Sequence, residues 1–167
     1  MKTIAELIKR EFSRCIRNTD NAATMARLAE CDKLFTDTIE GNEKAVAAGI
    51  EKIHNEETSP INYNREESLR SIIKLAYYAY RDNYLKFEEL PTGKGFADVV
   101  YLPKHDSGWP ALVIELKWDK SAEGAIAQIL EKQYPDSLKD YGSEIILVGI
   151  NYDPKTKEHE CKIIKIN

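Results

Sequence analysis

Three charged residues stand where two apolar strands should carry none. Asp98 interrupts Gly-Phe-Ala-Asp-Val-Val-Tyr-Leu, and Glu115 and Lys117 interrupt Ala-Leu-Val-Ile-Glu-Leu-Lys-Trp. Residues i and i+2 of a strand project from the same face, so Glu115 and Lys117 stand side by side. A hairpin whose loop centres near Asp106 and Ser107 brings Asp98 and Glu115 to similar depth on its two arms. An uncompensated buried charge costs several kcal/mol, so a chain that keeps three at strand positions has a use for them. Two carboxylates at one place are hard oxygen ligands suited to Mg2+, with Mn2+ as a substitute. Such an ion polarises a phosphoryl oxygen and generates a nucleophile from water, and a neighbouring lysine can stabilise phosphate charge or assist that water. The simpler alternative is a structural Glu115–Lys117 ion pair with Asp98 in a turn, and the spacing alone leaves both open.

The elements that must position these residues follow from the pattern around them. Tyr84 to Leu90 alternates as a first strand, Phe96 to Leu102 forms the second and Ala111 to Trp118 the third. The third is almost continuously apolar apart from Glu115 and Lys117, as expected of a central strand covered on both faces. A helix over about 121–134 follows, capped by Asp119, with Ala122, Ala125, Ile126, Ile129 and Leu130 as its apolar set and Pro135 ending it. Residues 143–151 read as another buried strand, and Cys161 to Ile166 as a closing one. The connection from the third strand through the helix to the fourth is long enough for a parallel crossover.

Upstream, Asn64 and Glu67 have capping-box spacing, opening a helix to about Tyr80 that buries Leu69, Ile72, Ile73, Ala76, Tyr77 and Tyr80. Glu66 lies near the apolar face of that helix, although a first-turn acid is also favoured by the helix dipole alone. Residues 54–62, polar and containing Pro60, mark a boundary. Before it come three amphipathic helices: 3–17 (Ile4, Leu7, Ile8, Phe12, Ile16), about 22–39 (Met25, Leu28, Leu34, Phe35, Ile39), and a third carrying Val46, Ile50 and Ile53. Asn18 to Asn21 separates the first two, and Gly41-Asn42 the next pair. These helices carry no catalytic pattern and read as a packing or partner-binding module. The fold class is therefore α/β: a mixed central sheet flanked by helices, in the order helix, three strands, helix, two strands, preceded by a small all-α segment.

The composition, 43% hydrophobic and 31% charged over 167 residues, is that of a folded soluble chain. It has no membrane-spanning run and no signal-like apolar core at its start, which points to the cytoplasm. Cys15, Cys31 and Cys161 form no C-x-x-C pair, and His54, His105 and His159 are isolated, so a zinc site is not expected. Alternation puts His159 and Cys161 on one side of a strand, but two ligands do not make such a site. The net charge is −4. Acid and base are evenly spread, nine Lys/Arg against eleven Asp/Glu over residues 1–60 and fifteen against seventeen beyond. A nucleic-acid ligand would therefore need a local basic rim, for which Lys94, Lys104, Lys117, Lys120 and Lys132 are the candidates.

Taken together, Tyr63-Asn64-Arg65-Glu66, Gly93-Lys94-Gly95-Phe96-Ala97-Asp98, Glu115-Leu116-Lys117, Ala127-Gln128-Ile129 and Leu147 to Asp153 resemble the PD-(D/E)XK nuclease superfamily. The likeness is to its branch often found C-terminal to AAA-ATPase-like domains in bacteria, and it spans residues 63–166. It implies a restriction-endonuclease-like core at 59–167 behind a helical segment at 1–58. It also implies Asp98 and Glu115 as Mg2+ ligands and Lys117 as the residue that positions or activates water. Glu66 would be an additional acid near the metal, Gln128 a helix residue reaching the site, and Tyr134 an assistant. Ala97 stands where the superfamily's nominal proline would be. No Walker A pattern G-x-x-x-x-G-K-[ST] occurs, so an ATPase-like domain or partner would be met through residues 1–58. The expected activity is metal-dependent hydrolysis of nucleic acid, DNA rather than RNA. The alternatives are a non-catalytic interaction module that retains the fold, and a metal-dependent hydrolase of another phosphate ester, since no base-reading element is visible.

Overall fold

Five strands with alternating or continuously apolar sequence assemble into one sheet in chain order: β1 (Tyr84–Thr92), β2 (Gly95–Pro103), β3 (Ala111–Trp118), β4 (Ile145–Tyr152) and β5 (His159–Ile166). The computed structural model describes residues 19–77, 83–92, 95–104, 107–132, 138 and 144–166. Among the described residues, the helices beside the sheet are α1 (Thr19–Glu40), α2 (Glu43–Glu57), α3 (Glu66–Ala76) and α4 (Ala122–Glu131). β3 and β4 run parallel with α4 as their crossover, and the other neighbouring strands are antiparallel. This is the expected α-β-β-β-α-β-β order, a restriction-endonuclease-like α/β arrangement on a mixed sheet. The expected helix at 3–17, and Cys15, Lys94, His105 and Tyr134, lie outside the described residues.

Strand alternation sorts the core into two layers. Leu112, Ile114 and Leu116 of β3, with Ile146, Val148, Ile150 and Tyr152 of β4, face the helices α1, α2 and α3. There they meet Leu34, Phe35, Val46, Ile50, Ile53, Leu69, Ile72, Ile73 and Ala76 in one cluster. The opposite face, with Ala111 and Val113 of β3 and Ile145 and Leu147 of β4, packs on Ile126 and Ile129 of α4. The first two helices are thus part of the layer over the sheet. Arg27 of α1 ties them to each other, its Nη2 lying 2.6 Å from Glu56 and 2.8 Å from Glu57 of α2.

The helix starts differ from the sequence expectation in instructive ways. α1 already runs through Thr19 to Asn21, which the sequence reads as the break between it and the helix before. Asn64 does not cap α3: the N-cap position is Arg65, without a side-chain bond, and Asn64 Oδ1 instead accepts a 2.6 Å hydrogen bond from the Tyr152 hydroxyl. A short polar side chain satisfied by a buried tyrosine is no longer available to the helix. α3 ends at Ala76, with Tyr77 as C-cap, and Tyr80 lies outside the described residues. Nor does Asp119 cap α4. It sits in a left-handed turn (φ 52°), while Ser121 is the N-cap and accepts from Gly124 N at 3.0 Å. That left-handed residue turns the chain sharply out of β3 and into the helix.

His54 and His159 are not isolated. Both are buried, and His54 Nδ1 lies 2.9 Å from His159 Nε2, joining the end of α2 to the start of β5. Tyr63 stacks on His54 at 4.0 Å between ring centroids. Burial pushes the His54 imidazole below its ordinary pKa, and burial plus the neighbouring His54 push His159 down to about 4. His159 therefore belongs to the strand it begins, two residues earlier than expected.

Candidate active site

The β2–β3 register pairs Val99 with Ile114, Val100 with Val113 and Tyr101 with Leu112. Its centre falls between positions 106 and 107, as the expected hairpin requires. Beyond Val99 no further pair of this ladder forms, and the Asp98 side chain takes over: its Oδ2 accepts the Leu116 backbone N–H at 2.8 Å. The aspartate thus holds the mouth of a fork between the two strands. Glu115 and Lys117 lie on the α4 face of β3, by the same alternation that sends Leu112, Ile114 and Leu116 to the other side.

Helix α4 reaches them because β4 has a glycine beneath it. A Cβ at Gly149 would meet the Ala122 carbonyl oxygen closer than the 3.0 Å below which such contacts are essentially never found. It would also lie 3.0 Å from Ala125 Cβ and 3.1 Å from Ile126 Cγ1. Gly149 is the register partner of Glu115 on β3. The close approach of the helix therefore occurs beside the carboxylate, and Gln128, on the second turn of α4, arrives over it. Gln128 Nε2 donates to Glu115 Oε1, Lys117 Nζ donates to Gln128 Oε1, and Lys117 Nζ lies 3.1 Å from Glu115 Oε1. The three side chains close into a ring.

Both contacts to Glu115 fall on one of its oxygens, Oε1. Glu115 is 3% exposed, and its Oε2 is buried with no hydrogen-bond partner. Burial pushes the carboxyl above its usual pKa and the negative charge of Asp98 pushes it further, while Lys117 and then Lys132 oppose the shift. One oxygen of this buried acid is thus left without a donor next to a second carboxylate. Among the described residues no group of three His, Cys, Asp or Glu side chains is gathered to hold a metal. The donors are instead two carboxylates, a set that suits Mg2+, which keeps several of its waters and takes one or two protein oxygens. The residues present fit such an ion.

Glu66 is placed differently from the other expected residues. Its side chain is 55% exposed on the first turn of α3, and its Oε1 lies 3.7 Å from Arg70 Nη2. That same nitrogen is 3.2 Å from Asp98 Oδ1, so Arg70 stands between Glu66 and the site. The structure brings together Asp98, Glu115, Lys117 and Gln128, and connects Glu66 to them through a guanidinium. Arg70 drew no notice in the sequence, although its i+4 spacing from Glu66 marks it as a neighbour on the same helix face.

Asn151, which the sequence places at the end of a buried strand and within the family-like run Leu147 to Asp153, carries no role of its own in that reading. It is buried beside Lys117 in the β3–β4 register, accepts the Lys120 N–H at 3.1 Å and donates to the Lys120 carbonyl at 3.3 Å. It therefore fixes the turn that launches α4. A lone Asn closing the run Ile145 to Ile150 was the signal available. Of the proposed basic rim, Lys132 acts on Glu115, while Lys104 and Lys120 are exposed.

Fold and site agree with a comparison against known families. A family model described as the PD-(D/E)XK nuclease superfamily matches residues 64–162, more than half of the chain. The chain belongs to that superfamily, whose members are generally hydrolytic nucleases and typically use divalent metals. No curated protein sequence matches the chain. Among the described residues, no helix is long and apolar enough to cross a membrane.

Proposed function

We propose that this protein is a divalent-metal-dependent nuclease that hydrolyses phosphodiester bonds of nucleic acid, DNA in preference to RNA, with Mg2+ as the ion and Mn2+ able to replace it. The observation that carries the reading is the buried, unpartnered Oε2 of Glu115 beside the Asp98 carboxylate. A carboxylate oxygen kept out of water without a donor is costly, and a cation relieves that cost.

Asp98 and Glu115 would hold the ion, which supplies Lewis-acid charge to a phosphodiester oxygen and acidifies water. The chain's own groups orient the reaction. The Leu116 N–H fixes Asp98, and the Gln128 amide fixes Oε1 of Glu115, so that Oε2 is the oxygen left to coordinate. Lys117, gripped by Glu115 and Gln128, holds a proton at Nζ close to where phosphate charge grows, and its burial strengthens that interaction. Gln128 couples the two by accepting from one and donating to the other. Glu66 takes part through Arg70 rather than as a direct ligand.

The proposal also joins the protein to an ATPase-like domain or partner, met by the outer faces of α1 and α2, whose inner faces are filled by the core. Cleavage of single- and double-stranded DNA and of RNA with Mg2+ or Mn2+, comparing wild type with Glu115→Ala and Lys117→Ala, tests the assignment. Loss of at least about 10²-fold in each variant is expected, the usual scale for removing a group that stabilises transition-state charge. Activity that survives both substitutions sinks it. A non-catalytic module is the second reading, favoured by a site whose carboxylates are already matched by Lys117 and Arg70. Failure of the wild-type chain to take up millimolar Mn2+ in a calorimeter, with no nucleic-acid affinity at low salt, would favour that reading instead.

A further inference from the structure

Arg70 and Lys117 each touch an acid of the site, and they differ in kind. Lys117 is nearly enclosed, with 13% of its side chain exposed, and donates to both Glu115 and Gln128. Arg70 is 32% exposed, reaches the site from α3 and meets Asp98 on the oxygen that the Leu116 N–H does not use. The same Nη2 is within 3.7 Å of Glu66, which is largely in solvent. Among the described residues, one guanidinium therefore lies within reach of two carboxylates, one in the site and one outside it.

We propose that Arg70 is a metal-responsive positioning residue: it neutralises Asp98 before the divalent ion arrives, cedes Oδ1 when the ion binds, and then carries its charge to a phosphate of the nucleic-acid strand. The proposal rests on the metal-nuclease reading and deepens it. A doubly charged ion at Asp98 repels a guanidinium held against the same carboxylate, and this repulsion is only weakly screened at a part-buried site. Glu66, four residues earlier on α3, keeps Arg70 anchored as it swings away from Asp98. The planar, permanently charged fork matches phosphate in two-point geometry, which a lysine ammonium does not. Arg70 thus competes with the metal in one state and serves the substrate in the next. Removing it should change these two properties in opposite directions.

The test measures Mn2+ binding by calorimetry on the full chain for wild type, Arg70→Gln and Arg70→Lys, followed by DNA cleavage at saturating Mn2+. Arg70→Gln is expected to bind Mn2+ on the order of tenfold more tightly, because an opposing charge is gone. Its cleavage should fall on the order of tenfold, mostly as a raised KM, because a phosphate contact is gone. Arg70→Lys keeps the charge and is expected to bind Mn2+ like wild type while still showing the raised KM. A residue that merely braced Asp98 would behave otherwise: Arg70→Gln would then bind Mn2+ equally or more weakly, and either result overturns the proposal. Should Arg70→Gln fail to fold, Arg70→Lys decides, since a KM equal to wild type removes the phosphate role. Absence of Mn2+ binding by the wild-type chain removes the metal-nuclease reading and this proposal together, whereas wild-type binding with an unchanged Arg70→Gln removes this proposal alone.

Discussion

Substituting Gly149 by alanine separates the packing of the site from its chemistry. The residue lies in the middle of β4, where glycine is ordinarily worse than alanine by about 0.5–1 kcal/mol, so the backbone alone would favour the change. The obstacle is the first turn of α4. The new methyl would press on the Ala122 carbonyl, with Ala125 and Ile126 at 3.0 and 3.1 Å, and backbone oxygen cannot rotate aside. Restoring ordinary van der Waals separation moves the helix outward by roughly 1 Å. Overpacking of this kind costs about 1–3 kcal/mol, so Gly149→Ala should be destabilised by about 1–2 kcal/mol net, a fall of about 4 °C in Tm for a chain of this size. The same displacement carries Gln128 away from Glu115 and Lys117, and misplacement by about 1 Å can cost on the order of 10²-fold in rate. Urea unfolding and DNA cleavage measured on one preparation check both effects. A variant as stable as wild type would mean that α4 does not rest on Gly149. A destabilised variant with full activity would refute the link between helix position and the ring of Glu115, Lys117 and Gln128.

Two further outcomes concern the layer behind the site. His159, with its pKa pushed down to about 4, is neutral when folded, whereas the unfolded chain takes up its proton near pH 6.5. Its contribution is therefore complete above about pH 6.5 and is lost as the pH falls toward 4, in total about 3 kcal/mol. Urea midpoints from pH 7 to pH 4.5 should fall less steeply for His159→Phe than for wild type, and parallel slopes would remove the buried pair as the cause. The Thr38 hydroxyl lies 2.8 Å from the buried Tyr77 hydroxyl, joining α1 to the C-cap of α3. Thr38→Val leaves that phenol without its partner and should cost about 1–3 kcal/mol in urea unfolding, while Thr38→Ser should cost less.

The strands were legible because the pleat forces alternation, and the runs around Asp98 and Glu115 admit few registers. The hairpin centre could be placed from sequence because the two acids must reach one depth and the polar loop between them is short. The cap assignments failed for a reason that local pattern cannot reveal. Asn64 has the chemistry of an N-cap, but the Tyr152 hydroxyl, distant in sequence, claims its oxygen. The pairing of His54 with His159 was hidden in the same way, since α2 and β5 meet only once the sheet has formed. Arg70 was missed because a cation on a charged helix looks like surface, and only the tertiary fold puts Asp98 in front of it.

The charge of −4 argues against a nucleic-acid ligand only if charge is averaged over the chain. Around the site the balance is different. Asp98 and Glu115 face Arg70, Lys117 and Lys132, the last near enough to oppose the upward shift of the Glu115 carboxyl. With Glu66, which Arg70 also faces, three acids meet three bases, so this region is near neutral before any metal is counted, and a divalent ion would leave it positive by two. Elsewhere the excess acid is tied into local pairs, as where Glu30, Glu56 and Glu57 surround Arg27 between α1 and α2. Exposed charges beyond a Debye length of about 8 Å at physiological salt hardly act on one another, so the phosphate strand responds to the site rather than to the average. An acidic surface with one metal-charged cleft would repel nucleic acid from every face but that one. Such a protein should therefore bind DNA with a marked dependence on both salt and divalent ion.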